Sequence, residues 1–188
     1  MPKKKLKRFA EIATFPHVIQ MLTDLRGSWH RDFFHNDNPI TLELAFGKGE
    51  YTVAMAQLCP DRNFVGVDLK GARMWSGAKA ALNLKVANVA FLRMPIERIA
   101  DCFGTEEVAE IWITFPDPQP QKTRENTRMT SLRFLEMYET VLGTNGLLHL
   151  KTDNVVLFDY TLELIKDLNV SIHTNTHDLY GSGITDDI

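Results

Sequence analysis

The residues best equipped for chemistry begin at Ile40–Glu50, I-T-L-E-L-A-F-G-K-G-E. Ile40, Leu42, Leu44 and Phe46 set a buried strand over 40–46, and the polarity breaks at Gly47-Lys48-Gly49. Val53, Ala54, Ala56 and Leu58 then suit one face of a helix over 50–59. Strand, glycine turn and helix is how an α/β sheet grips a nucleotide-like ligand. The glycines let the backbone approach, and the free amides of the new helix face the ligand. About twenty residues on, Asn63–Asp68 forms a second strand ending in a carboxylate, the place for an acid that holds ribose hydroxyls.

Two common ligand classes are excluded by what is missing. A phosphate loop needs G-x-x-x-x-G-K-[ST], which is absent, and Ala45–Glu50 does not supply the dinucleotide pattern G-x-G-x-x-G. The remaining pattern, E-x-(G/A)-x-G-x-G with an acid ending the next strand, resembles the S-adenosylmethionine (SAM) site of class I methyltransferases. Glu43 would sit near the ligand's amino-acid end and Asp68 at its ribose. SAM carries an ammonium and a sulfonium but no phosphate, so acids should line its pocket instead of a phosphate nest.

The elements that must position these groups alternate along the chain. Strands are expected at 40–46, 63–68, 89–93, 108–115, 146–151 and 170–175. Helices are expected at 50–59, 72–84, 132–142 and 154–168, with a short helical stretch at 96–102. Val18, Met21, Leu22 and Leu25 fall at i, i+3, i+4 and i+7, which predicts a further helix before Gly27. His17, His30 and His35 lack metal-ligand spacing and read as surface or packing residues. The alternation implies a doubly wound, mostly parallel α/β sheet with helices on both faces and a ligand crevice beyond the strands' carboxyl ends.

Two of those ends carry more acids. Pro116 and Pro118 stiffen the loop around Asp117, and Thr152-Asp153-Asn154 follows the next strand. Asp153 by itself reads equally as a helix N-cap. With Glu43 and Asp68, however, four carboxylates converge on one crevice, and their mutual repulsion calls for a cationic partner.

The whole chain sets bounds. At 188 residues it predicts one domain, 15–188, behind a basic tail, 1–14. Five of the 21 Lys and Arg residues (Lys3, Lys4, Lys5, Lys7 and Arg8) fall in the first eight positions, although the net charge is −3. That run reads as a solvated tail or as a phosphate-binding one. Cys59 and Cys102 are far apart, which fits a reducing cytoplasm, and no apolar run is long enough to span a bilayer.

F-P-D-P followed by basic residues, then F-L-x-x-Y and L-x-x-T-D-N, together with E-L-A-F-G-K-G-E and G-V-D-L-K, resembles the bacterial tRNA (guanine-N(7)-)-methyltransferase family over about Leu42–Asp153. The resemblance implies methylation of a variable-loop guanine of tRNA with SAM as cofactor and no metal. Glu43, Ala45, Gly47, Gly49, Asp68, Met94, Glu97 and Asp117 would line the cofactor, with Asp117 also catalytic. Gln121, Lys122, Arg124, Arg128 and Asp153 would meet the substrate. The partner would be tRNA, with no membrane, and the protein a cytoplasmic monomer or homodimer.

Several positions depart from the family pattern. Ala45 replaces a glycine, and Gln119 stands where a tryptophan is usual. Gln121 takes the place of a substrate-binding lysine, and Met94 that of an acid at the adenine, with Glu97 a turn later as a stand-in. Thr185-Asp186-Asp187-Ile188 lacks the last residue of T-x-x-E. No segment is left for the antiparallel seventh strand of the class, so a C-terminal truncation is expected. A small-molecule methyltransferase and a non-catalytic RNA-binding protein on the same fold are the competing readings.

Overall fold

The computed structural model describes residues 2–21 and 24–184. Six strands form a single sheet in which every pair is parallel: β1 (Val18–Gln20), β2 (Ile40–Leu44), β3 (Asn63–Val67), β4 (Val89–Arg93), β5 (Val108–Thr114) and β6 (Leu142–Lys151). Their order is β1-β4-β3-β2-β5-β6. The helices are α1 (Pro2–Ile12), α2 (Glu50–Leu58), α3 (Gly71–Leu84), α4 (Leu132–Val141) and α5 (Val155–Ile165). None is long and apolar enough to cross a membrane.

β2 and β3 are buried at every position, as central strands covered on both faces must be. The alternation of their side chains divides the core in two. Leu42, Leu44, Val65, Val67, Leu92, Ile111 and Ile113 pack on one side with Trp29, Phe134 and Tyr138. Phe64 and Phe91 face the other side, with Phe46, Val53, Met74 and Ala78 around α2 and α3.

The amino-terminal edge of the sheet is tied by asparagines. Asn88 Nδ2 reaches the carbonyls of Ala56, Cys59 and Arg62 at 2.9, 3.1 and 2.8 Å. Asn63, fully buried, donates to Asn36 Oδ1 at 2.8 Å and to the Asn38 carbonyl at 3.0 Å.

Three expectations change. The helix expected through Val18–Leu25 is instead the edge strand β1, paired through Val18–Phe91, Ile19–Leu92 and Gln20–Arg93. The open edge of β4 captures the β-branched Val-Ile pair and overrides the helical spacing. Leu22, on which that spacing partly relied, lies outside the described residues. A wide-turned helical segment, Trp29–Phe34, follows.

The second change is at the N-terminus, which is the helix α1 packed on α3 and not a tail. The third is Val170–Asn175, which forms no strand. Val170 and Ile172 are 57% and 47% exposed, with no partner strand to bury them. No strand runs antiparallel to the sheet among the described residues. The expected departure at 185–188 lies outside them.

Candidate cofactor and substrate site

Because β3, β2, β5 and β6 are consecutive in the sheet, their carboxyl ends place the glycine turn, Asp68, the P-D-P loop and Asp153 side by side. Glu43 lies beneath the turn and is only 3% exposed. Its Oε1 accepts from the Thr114 hydroxyl at 2.8 Å, and its Oε2 accepts a short bond from the Thr52 hydroxyl. Burial pushes its carboxyl above the usual carboxylate range, and the two hydroxyls pull it only part of the way back. The floor of the site is therefore a buried acid with neutral partners.

Above it the chain turns sharply. Ala45 has φ 57°, a left-handed conformation that costs a residue with a Cβ about 1 kcal/mol or more. Its amide still donates to the Val67 carbonyl at 2.9 Å, so the turn starts in register with β3. The two glycines do different work. Gly47 has φ 62° and nothing within 4 Å of where a Cβ would be, so it presents open backbone. Gly49 has φ 78°, and a Cβ there would stand 3.0 Å from Phe91 Cε1 and 3.2 Å from Gly77 Cα. It is needed because α2 starts pressed against α3. The N-cap of α2 has no side-chain capping bond, which leaves its first amides for a ligand.

Asp68 bolts this turn to β3. Its Oδ2 accepts from the Gly47 amide at 3.2 Å and its Oδ1 from the Lys70 amide at 2.8 Å, and the residue is 8% exposed.

The P-D-P loop is strained at both ends, with Phe115 at φ 47° and Gln119 at φ 44°. Phe115 N donates to the Lys151 carbonyl at 2.7 Å, which ties the loop's start to the end of β6. Asp117 is exposed, and its Oδ1 accepts only the Gln119 amide, at 3.1 Å. Gln121 is exposed just before the 3-10 turn that follows, Lys122–Thr127, and Lys122 and Arg124 are exposed on it. Asp153 is exposed at the β6 tip and is not the cap of α5. That role belongs to Asn154, whose Oδ1 accepts the Leu157 amide at 2.8 Å.

Two expected positions are corrected. Arg128 is 7% exposed and so is not presented to a phosphate. Its Nε donates to the Gln119 carbonyl at 3.2 Å while its guanidinium lies 4.2 Å over the Tyr160 ring. It clamps the strained end of the P-D-P loop to α5. Met94 is 1% exposed within the core beside Trp29 and Ile99, so its side chain packs and does not line a pocket. Glu97 is exposed on the 3-10 turn Ile96–Asp101.

Sequence reasoning missed Thr52 and Thr114, the partners of Glu43, and Gly77, the backbone against which Gly49 fits. A glycine inside a helix costs about 1 kcal/mol relative to alanine, so Gly77 was a readable sign of close approach. Thr114 sits one residue before F-P-D-P, with Trp112 opposite Glu43 in register, a neighbourhood that only strand pairing reveals.

A family model described as "Putative methyltransferase" matches residues 37–180. The tRNA (guanine-N(7)-)-methyltransferase of Bacteroides fragilis (strain YCH46) is 47% identical over 196 residues, covering 100% of this chain and 77% of that protein. That of Porphyromonas gingivalis (strain ATCC BAA-308 / W83) is 51% identical over 180 residues, covering 90% and 73%. Among solved structures, a 16S rRNA (adenine(1408)-N(1))-methyltransferase W203A mutant from Catenulisporales acidiphilia superposes with TM-score 0.57 at 19% identity, covering 89% of this chain and 80% of that one. This structural likeness shows a shared fold.

Proposed function

This chain belongs to the tRNA (guanine-N(7)-)-methyltransferase family, and from that premise we propose that it transfers a methyl group from SAM to guanine N(7) in the variable loop of tRNA. The observation that carries the proposal is the row of strand ends: a glycine turn over a buried acid, latched by Asp68, beside an exposed aspartate on a rigid loop.

The residues present fit SAM. Glu43 is a buried acid whose partners are neutral hydroxyls, so a cationic ligand above the turn offsets what burial costs it. Gly47 leaves open backbone where a side chain would intrude. Asp68 would hold the ribose, the turn over Glu43 the amino-acid end, and Glu97 is the exposed acid on the adenine side. When bound, SAM supplies an electrophilic methyl on a sulfonium.

Guanine N(7) carries an in-plane lone pair, so no group has to remove a proton before it attacks. What remains for the protein is alignment and stabilisation of the cationic purine that results. Asp117 is exposed and held by a single backbone amide, so its carboxylate retains capacity to meet that charge. Asp153 faces the base from the neighbouring tip, while Lys122 and Arg124 meet phosphates. The setting is the cytoplasm, where tRNA is found, and the protein works as a monomer or homodimer.

The test is incubation with labelled SAM and bulk tRNA lacking the modification, followed by mass-spectrometric mapping. Methyl label at N(7) of a variable-loop guanine is expected. Label on another atom or on small molecules only would overturn the proposal.

A further inference from the structure

The contacts of α1 run to the cofactor end of the sheet. Ile12 is fully buried, and the Arg93 guanidinium lies 4.3 Å over the Phe9 ring. Arg8 lies 4.4 Å over Trp75, while Glu11 accepts from Trp75 Nε1 at 3.0 Å and pairs with Lys79 at 3.4 Å. Trp75 and Lys79 are both on α3. The packing is close at Gly71, the first residue of α3. A Cβ there would stand 2.9 Å from Ile12 Cδ1, 3.0 Å from Arg93 Cδ and 3.0 Å from Phe9 Cε2. Gly71 closes the turn that begins at Asp68, and Arg93 Nε donates to the Leu69 carbonyl in the middle of that turn at 3.3 Å. Thus α1 and Arg93 together press on the segment that aims the ribose-binding carboxylate.

α1 is a weak helix on its own. With 11 residues it falls short of the length at which an isolated helix holds in water. Its first turn has no acid, so the basic residues there oppose the helix dipole. Lys4 and Arg8 repel at i, i+4, and Lys4, Lys5 and Lys7 are exposed. Docking on α3 holds the helix against these terms. An anionic chain laid along the exposed lysines would remove the repulsion and favour the docked form. An RNA backbone is such a chain, with phosphates repeating along its length.

We propose that α1 couples the two ligands. Phosphates of tRNA on Lys4, Lys5 and Lys7 favour docked α1, and docked α1 braces the Asp68–Gly71 turn, so tRNA tightens SAM binding. By linkage, SAM tightens tRNA binding by the same factor. The coupling rests on SAM and tRNA being the ligands, as proposed above.

Calorimetric titration of the full chain with S-adenosylhomocysteine, with and without saturating unmodified bulk tRNA, tests it. In the wild type tRNA should tighten S-adenosylhomocysteine binding about fivefold or more. Phe9→Ala should weaken S-adenosylhomocysteine binding several-fold without tRNA and bring the tRNA-dependent factor close to one, while Phe9→Tyr, which keeps the ring under Arg93, should leave both near the wild type. Lys4→Gln, Lys5→Gln and Lys7→Gln together should remove the factor even at tRNA concentrations that saturate the variant. A wild type that binds both ligands with no change in S-adenosylhomocysteine affinity overturns the coupling and leaves the function standing. So does a folded Phe9→Ala variant that keeps the wild-type factor. A chain that binds no S-adenosylhomocysteine overturns the functional reading and the coupling together.

Discussion

The β2–β3 end and the β5–β6 end of the same sheet edge are built in opposite ways. At β2–β3 both acids are buried and each carboxylate oxygen is already fixed by one hydrogen bond, Glu43 by two hydroxyls and Asp68 by two backbone amides, with lone pairs left over for a ligand. At β5–β6 both acids are exposed, and Asp117 has one amide bond. There the order lies in the backbone, where left-handed residues at 115 and 119 are held by Lys151 and Arg128. A ligand that visits every turnover can be met by a prebuilt pocket. A large acceptor that brings its own charge is better met by carboxylates that are aimed but unspent. The first end is preorganised in its side chains, the second in its main chain.

Replacing Asp117 by Asn tests this contrast most severely. Turnover should fall about 100-fold, with SAM affinity within about twofold, if the carboxylate acts, as proposed, on charge that develops in the reaction. Single-turnover rates alongside calorimetric SAM binding separate the two; equal losses in both would erase the distinction between the ends. Asp68→Ala should do the reverse. It should weaken SAM about tenfold to a hundredfold, since the proposed charge-assisted ribose contact and the Gly47 latch would be lost together. Unchanged SAM affinity would remove Asp68 from the cofactor end.

Smaller effects refine the picture. Lys122→Gln with Arg124→Gln should weaken tRNA binding several-fold and lower the salt slope by about 2. Arg128→Ala should instead lower the melting temperature through the loop clamp, leaving the salt slope as it was. If the two variants change places in these assays, the clamp is misassigned. The smallest effect concerns Glu43, whose folded carboxyl is raised above its ordinary value of 4.5. The folded state then holds the proton longer than the unfolded chain does. Stability should decline as pH rises from about 4.5 through the raised folded value, and the penalty should be complete above it. Glu43→Gln should flatten that decline in urea titrations across this range, and a decline of equal size in the variant would place its source elsewhere.

The central strands and the glycine turn were legible because their signals are local: apolar runs, a polarity break, an acid at a strand end. The N-terminal third was not. Val18 opens a helical spacing with Met21, Leu22 and Leu25 that the edge of β4 overrules, and nothing in the lysine run says that Trp75 waits beneath Arg8. Val170-Ser171-Ile172 erred the other way, since alternation makes a strand only where a neighbour can pair with it. Among site residues, Arg128 was legible as a charge near F-P-D-P but not as a clamp, because Tyr160 lies a helix away. The equal spacing of Gly47 and Gly49 in the motif likewise hides that one faces open space and the other a neighbouring helix.

The asparagines at the far edge of the sheet should set the order in which the molecule comes apart. Asn88 fastens the end of α2 and its following turn to the start of β4, and Asn63 fastens the approach to β2 to the start of β3. These crosslinks lie at the amino ends of the strands, away from the glycine turn and the P-D-P loop at the carboxyl ends. Amide protons near Phe64 and Val89 should therefore exchange with solvent only in the rarest, most global openings, while those of the glycine turn and the P-D-P loop exchange through frequent local ones.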